Sequence, residues 1–306
     1  MKRVIAGVAT ALAATLAVSA CGNSGDPLAN DTSSNAGSSG VAVTIGSANF
    51  PESQLLAEIY AQALEAKGVG VTRQFDLGSR EKYMDGLKDG SIDLIPEYTG
   101  VLLQFFNKQA PQVSAEEVYT ALKDVLPSNL TVLDKAEAED KDAIVVTKDT
   151  ADKWKLKSIE DLVPHCGEAT FGGPPEIAQR PDGLPGFKKT YNCTFGSFKA
   201  LEPGAITTKA LLDGTVQAAD IFTTDAAIVA NKLVVLDDPK NNFAAQNVVP
   251  LINKDKAKDP VTSTLNAVSA KLDTKALLQL NVDLNAPDKP ESADVAKKWL
   301  EKVGLV

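Results

Sequence analysis

The segment Ser91-Ile-Asp-Leu-Ile-Pro-Glu-Tyr-Thr-Gly100 places an acid, a phenol and a hydroxyl, Glu97, Tyr98 and Thr99, directly behind an apolar run. Ile92, Leu94 and Ile95 suit a strand, and Pro96, which has no backbone donor, is expected to end it. The three polar residues then sit just past a strand's carboxyl end, where open α/β sheets bind ligands. Composition alone favours Tyr98 as an ordinary half-buried tyrosine at the end of a strand. Catalytic sets are harder to assemble. The chain has one histidine, His165, between Pro164 and Cys166, so any Ser-His-Asp triad or thiol–imidazole pair depends on it. There is no Gly-rich phosphate loop, zinc-binding helix motif or Gly-x-Ser-x-Gly elbow. The 40 Asp and Glu residues offer carboxylate pairs everywhere and so single out none for glycoside chemistry. Asp237-Asp238 reads as a solvated turn rather than as metal ligands. No catalytic residue, metal or cofactor is expected.

The charge balance, 31 Lys and Arg against 40 Asp and Glu, gives a formal net charge of −9. An acidic chain without a basic stripe argues against a nucleic-acid partner. At the start, Lys2 and Arg3 precede an apolar, Ala-rich stretch over residues 4–18, closed by Val18-Ser-Ala-Cys21. Residues 1–20 read as a secretory signal too short for a comfortable membrane span. A cysteine next to the cleavage site resembles a bacterial lipobox, so Cys21 is expected to carry a lipid at the outer face of the cell membrane. Residues 21–40, rich in Ser, Gly, Asn and Asp, have too little apolar surface to fold and read as a flexible tether. Outside the cytoplasm the two remaining cysteines, Cys166 and Cys193, are most simply a disulfide.

About 265 residues remain, enough for one large or two medium domains. Strands are expected at 41–45, 69–75, 92–95, 143–147, 168–171, 217–221, 233–236 and 248–252. Helices are expected at 52–66, 80–87, 115–126, 207–212 and 225–230. Strand and helix in alternation predict a parallel sheet covered on both faces. Three helical patterns without an intervening strand follow, at 259–272, 274–284 and 292–303. In the last of these Val295, Trp299 and Val303 form an apolar stripe that reads as core. The last helices are expected to pack back on the first.

Gly46-Ser-Ala-Asn-Phe50 with Glu52, then Leu77-Gly-Ser79, Asp93-Leu-Ile-Pro-Glu-Tyr-Thr-Gly100, Glu176-x-x-x-Arg180-Pro-Asp-Gly183 and Thr224-Asp225 form an ordered series. This series resembles the substrate-binding proteins of ABC importers for glycine betaine, choline and related osmoprotectants, the ProX/OpuC type. Within that type it is similar to the actinobacterial ProX lipoproteins. The resemblance covers nearly all of residues 41–306. It implies an α/β, two-lobed type II periplasmic-binding-protein fold with a ligand cleft between the lobes. Residues 41–142 plus 245–306 would form one lobe and 143–244 the other, with crossings near Ala143 and near residues 243–248. The implied partners are a small-molecule ligand and a membrane permease with its ATPase, served by a monomer that closes on its ligand.

The resemblance also implies a site. Tyr98 and Phe222 keep two walls of an aromatic cage, Asn49, Phe50, Thr99 and Thr223 fall on its landmarks, and Arg180 is placed to clamp an anionic group. Ala143 and Gln246 stand where the family has aromatic rings, Ala48 where it has a lysine, Val101 where it has a threonine. Arg80 replaces a usual threonine. Two lost walls imply a roomier site, with Gln246 and Arg80 added to it. The expectation is therefore a larger, neutral or anionic ligand, aromatic or polyhydroxylated, stacked on Tyr98 and Phe222. A cell-envelope enzyme, or a sensor of the ligand, on the same fold is the alternative.

Overall fold

The computed structural model describes residues 40–306. The expected signal segment, Cys21 and all of the tether but Gly40 lie outside the described residues. The first part of the chain runs β1 (Ala42–Gly46), α1 (Pro51–Glu65), β2 (Gly70–Gln74), α2 (Arg80–Asp89), β3 (Leu94–Tyr98), α3 (Thr99–Phe106), α4 (Ala115–Val125) and β4 (Leu130–Val132). The middle part runs β5 (Ile144–Val146), α5 (Lys148–Trp154), α6 (Ile159–Leu162), β6 (Thr170–Gly173), α7 (Leu184–Gly186), β7 (Ser197–Ala200), α8 (Ala205–Leu212), β8 (Ala218–Asp220), α9 (Ala226–Ala230) and β9 (Val234–Val235). The chain ends with β10 (Val248–Asn253), α10 (Val261–Ser269), α11 (Thr274–Leu284) and α12 (Ser292–Val303).

These strands form two five-stranded sheets, ordered β2-β1-β3-β10-β4 and β7-β6-β8-β5-β9. Each sheet is mixed, which corrects the expectation of a parallel one. β10 runs antiparallel to β3 and β4, and β5 runs antiparallel to β8 and β9. These are the strands by which the chain enters a sheet from the other one, so they run opposite to strands fed by their own helices. The sequence signal for β4 and β7 is faint because one is three residues long and the other is largely exposed.

Pro96 does not end β3, which continues through Tyr98. Pro96 lies opposite Pro250 of β10. The Pro250 carbonyl accepts from Leu133 N–H on the β4 side, so Pro250 turns its polar groups away from β3. The pair is then a non-hydrogen-bonded one in which neither proline owes a donor to the other.

The core of the first sheet is built on α1. Leu55, Leu56, Ile59, Tyr60 and Leu64 are all fully buried, and α1 packs against α10 and α12. Val295, Trp299 and Leu300 of α12 enter this same core, with Val303 packed at its margin. Burying each large apolar side chain contributes roughly 1.5–3 kcal/mol, so the C-terminal helix is a structural clamp on α1. Around the second sheet Ile144, Phe171 and Phe187 form a separate core. Cys166 and Cys193 are disulfide-bonded at its edge, 27 residues apart, which stabilises by about 3 kcal/mol through the restricted unfolded chain. His165 stacks on Trp154 with ring centroids 4.7 Å apart and binds Glu168 through Nδ1 at 2.6 Å. It belongs to this surface and to no triad.

Candidate functional site

The site begins where β1 gives way to α1. Pro51 occupies the first helical turn, its fixed φ suiting that position, and Phe50 before it is extended at φ −133° and ψ 152°. The loop between them and β1 is pinned by two hydrogen bonds. Asp76 N–H donates to Ser47 Oγ and Ala48 N–H to Ser53 Oγ, both at 2.9 Å. Phe50 is thereby held with its ring centroid 5.0 Å from that of Phe222 and 6.1 Å from that of Tyr98. Tyr98 closes β3, and α3 starts immediately at Thr99. Gly100 is required here, because a Cβ on it would lie 2.6 Å from the Ala245 carbonyl oxygen.

In the first turn of α1, Glu52 is buried and receives hydrogen bonds from three other segments. Tyr98 Oη donates to its Oε1 at 2.6 Å, while Thr224 Oγ1, at 2.6 Å, and Asn281 Nδ2 donate to its Oε2. Burial raises the Glu52 pKa against the pull of these donors. It also pushes Asp140 well above the carboxylate range, reinforced by the nearby charge of Glu52. Tyr98 stays a phenol, since burial and the Glu52 carboxylate push its ionisation far up. The Asp140 side chain accepts from Thr224 N–H at 3.0 Å and from Thr223 Oγ1 at 3.2 Å. Asp182 is pushed up to about 7 by burial and by Asp142.

Phe50, Tyr98 and Phe222 line a cavity of about 40 Å³, with Asp140, Asp142 and Val101 among the other walls. That is room for about three or four water molecules. The roomier site expected from Ala143 and Gln246 is therefore not present in this conformation. Ala143 is buried in a different cluster with Val145, Ile221 and Leu233, so the missing ring there leaves no gap. Gln246 does line the cavity. Its amide is committed to Asp142 at 3.0 Å and its backbone N–H to Glu139 at 3.1 Å.

Arg80 also lines the cavity without a free guanidinium. It is 6% exposed and its Nε and Nη2 each donate to Glu97 at 2.7 Å. Tyr83 Oη adds a 2.6 Å bond to the same carboxylate and Tyr98 N–H a 3.0 Å one. Where the sequence reading adds Arg80 to the ligand site, its donors in this conformation serve a buried carboxylate. Arg180 behaves differently. Its Nε and Nη2 reach Glu81 at 3.2 Å each, and Nη2 lies 3.6 Å from Glu176. These contacts are longer than the 2.7–2.9 Å usual for charge-assisted pairs, and they join α2 to the segment beyond β6. Burial opposes the ionisation of Glu81, but Arg180 outweighs it and takes that carboxyl down to about 2.

Among the expected site residues, Asn49, Phe50, Arg80, Tyr98, Arg180, Phe222 and Gln246 meet around one cavity. Thr99, Thr223 and Ala143 do not line it. Thr99 stitches the return segment, donating from Oγ1 to the Ala245 carbonyl and accepting from Asn247 N–H. Thr223 fixes the crossing segment by accepting from Lys141 N–H at 2.9 Å. Asn49 donates to Glu202 at 3.1 Å. The acids Asp140 and Asp142 were not singled out by sequence. They lie in the run Glu137-Ala-Glu-Asp-Lys-Asp142, whose composition reads as solvated, and only the crossing topology buries them.

Two sheets, each with its helices, and a cavity lined from both parts of the chain define a two-lobed solute-binding protein. The family model for the substrate-binding domain of ABC-type glycine betaine transport systems matches residues 41–302. The chain is 31% identical over 277 residues to the glycine betaine-binding protein YehZ of Escherichia coli K12, covering 86% of this chain and 90% of that one. It is 26% identical to an ergothioneine transport permease/ergothioneine binding protein, EgtU, of Helicobacter pylori, covering 83% of this chain and 46% of that protein. A solved structure of a glycine betaine/carnitine/choline ABC transporter superposes with a TM-score of 0.68 at 25% identity, over 86% of this chain and 99% of that one. The chain belongs to the substrate-binding family of ABC-type glycine betaine transport systems.

Proposed function

We propose that the chain is an extracytoplasmic receptor for a small quaternary-ammonium solute. In this reading Cys21 carries a lipid anchor, and a monomer closes residues 143–244 against residues 41–142 plus 245–306 around the solute. The closed form then engages a membrane permease driven by its ATPase. The protein acts by binding, with no catalytic step and no cofactor. One observation carries the ligand class: Phe50, Tyr98 and Phe222, with the buried acid Asp142, line a cavity whose arginines are already paired with Glu97 and Glu81. A quaternary ammonium has no hydrogen to donate, so ring faces are its natural partners. Asp142, which among the described residues forms no ion pair, favours a cation further, in place of the neutral or anionic ligand read from the sequence. The names of the relatives, glycine betaine among them, support the same class.

Phe222 offers the cleanest test because it is half-buried, makes no side-chain hydrogen bond and faces Phe50. Replacing Phe222 by Ala should weaken glycine betaine and choline by roughly 2- to 30-fold, the worth of one ring face. Calorimetric titration of both compounds reads this directly, with Phe222→Tyr as the variant that keeps the ring. Equal affinity in wild type and Phe222→Ala would place the solute elsewhere.

A further inference from the structure

Asp142 lines the aromatic cavity, and two further acids stand behind it. Ile144 of β5 lies opposite Asp220 of β8. Hydrogen bonds from Ile221 N–H to the Ala143 carbonyl, at 3.2 Å, and from Thr223 N–H to the Lys141 carbonyl, at 2.9 Å, carry this register past the start of β5 and the end of β8. Asp142 and Asp220 are therefore diagonal neighbours on one face of the sheet. On the adjoining strand β6, Gly173 leaves them room, since a Cβ there would come within 3.0 Å of the Asp220 Cβ. Asp182, ahead of α7, is a third acid whose charge reaches both. Asp142, Asp182 and Asp220 are all buried, and of the three only Asp142 is a wall of the cavity.

A buried carboxylate needs donors, and Asp220 lacks them. Its Oδ1 is buried without a hydrogen-bond partner, while its carboxyl lies within hydrogen-bond reach of Asp142. Two facing carboxylates repel, whereas one proton between them makes a donor and an acceptor. Asp142 is already an acceptor, taking Gln246 Nε2 on its Oδ2 at 3.0 Å, which leaves the proton to Asp220. Burial, Asp142 and Asp182 together push the Asp220 carboxyl well above the usual carboxylate range, against the pull of Arg180. The other charges facing the cluster are engaged. Arg180 is drawn to Glu81 and Glu176, Arg80 to Glu97, and Lys141 to Glu139 at 3.3 Å. Asp140 accepts from Thr224 N–H and Thr223 Oγ1, and Glu52 accepts from Tyr98, Thr224 and Asn281. Those two acids have the donors that Asp220 is without.

We propose that Asp220 is a positioning acid for the cation site: in the solute-free protein it donates a proton to Asp142, and it gives that proton up to solvent when a cation enters, so that capture of a cationic solute releases a proton. The inference rests on the reading above that the aromatic cavity takes a cation. A positive charge beside Asp142 stabilises the second carboxylate and so lowers the proton affinity of the pair. By linkage, the cation is then bound more tightly as pH rises, until the solute-free protein has already lost the proton. Asp142, at the cavity wall, is the path by which the proton reaches water.

The test titrates choline, whose charge does not change with pH, into the full chain by calorimetry. At about pH 6.5 the heats in phosphate and in Tris should differ in the sense of proton release, by about half a proton per choline, and affinity should rise about tenfold between about pH 5.5 and about pH 8.5. Asp220→Asn, whose amide keeps the shape and the donor toward Asp142, should bind choline at both pH values as weakly as wild type does at the lower one, with equal heats in the two buffers. Infrared spectra provide a reading independent of the variant's folding: the carbonyl stretch of a buried protonated carboxyl should be present in the solute-free wild type and lose intensity on adding choline. The linkage alone is refuted if choline binds wild type with equal heats in both buffers. It is also refuted if Asp220→Asn keeps the pH dependence of wild type, which would assign the proton to Asp140. If choline does not bind at all, the reading of the aromatic cavity fails and the linkage with it.

Discussion

Arg80→Ala should lower the stability of the protein by about 3–5 kcal/mol, the cost of leaving a buried charge without its partner. Glu97 is 0% exposed and accepts from Arg80 twice, from Tyr83 Oη and from Tyr98 N–H. Without the guanidinium, the carboxylate keeps two neutral donors and loses both charge-assisted bonds. For a protein of this size the loss corresponds to a fall in melting temperature of about 10 °C, measured by calorimetry in the absence of solute. Arg80→Lys should recover only part, because an ammonium cannot make the two parallel bonds of the fork. Arg80→Met combined with Glu97→Gln should be milder than Arg80→Ala, since the neutral amide oxygen still accepts from Tyr83 while the orphan charge is gone. A melting temperature unchanged in Arg80→Ala would show that the guanidinium is free in solution and available to a ligand.

Glu52→Ala is the second large effect, and it reaches the site through structure. Its carboxylate ties α1 to Tyr98 at the end of β3, to Thr224 beyond β8 and to Asn281 on α11. Removing it strands three buried donors at about 1–3 kcal/mol each. The burial that raises the Glu52 pKa means that part of the cost of holding this acid is regained. The net expectation is a loss of about 3 kcal/mol by chemical denaturation. Glu52→Gln keeps one acceptor oxygen but turns an NH₂ toward a donor, so it should lie between wild type and Ala. The phenol of Tyr98 loses its anchor in Glu52→Ala, and solute affinity should fall along with stability. A variant as stable as wild type would mean that the three donors find other partners.

Both predictions turn on residues whose chemistry the sequence displayed without its use. Apolar periodicity located α1, α11 and α12, and the stripe of Val295, Trp299 and Val303 was legible because burial demands helical spacing whatever the partner. The direction of β5 and β10 was not legible, since a strand's sequence records its burial and not which way its neighbours run. Pro96 lies inside β3 rather than at its end for a related reason. A proline inside a strand is forbidden only where a donor is owed, and the facing Pro250 is known only from register. At the site, rings were easier than charges. Tyr98 and Phe222 are found as aromatic positions in motifs, and their neighbourhood follows from the fold. The partner of Arg80 is Glu97, seventeen residues away on another element, and composition cannot distinguish a guanidinium sealed by a carboxylate from one waiting for a ligand. The same holds for Asp140 and Asp142, acids in a polar run that the crossing of the chain buries. Positions that lack the family's rings also do not translate directly into space: Ala143 sits in core packing and Gln246 fills its place with an amide bonded to Asp142.

In the proposed function the cavity between Phe50, Tyr98 and Phe222 recognises positive charge through ring faces and the Asp142 side chain. The most direct measurement is a calorimetric comparison of choline with 3,3-dimethylbutan-1-ol, which has the same shape and no charge. With cation–π attraction of about 0.5–2 kcal/mol per ring and three rings present, choline should bind at least about tenfold more tightly. Equal affinity for the two compounds, or binding of the neutral one alone, would contradict the account.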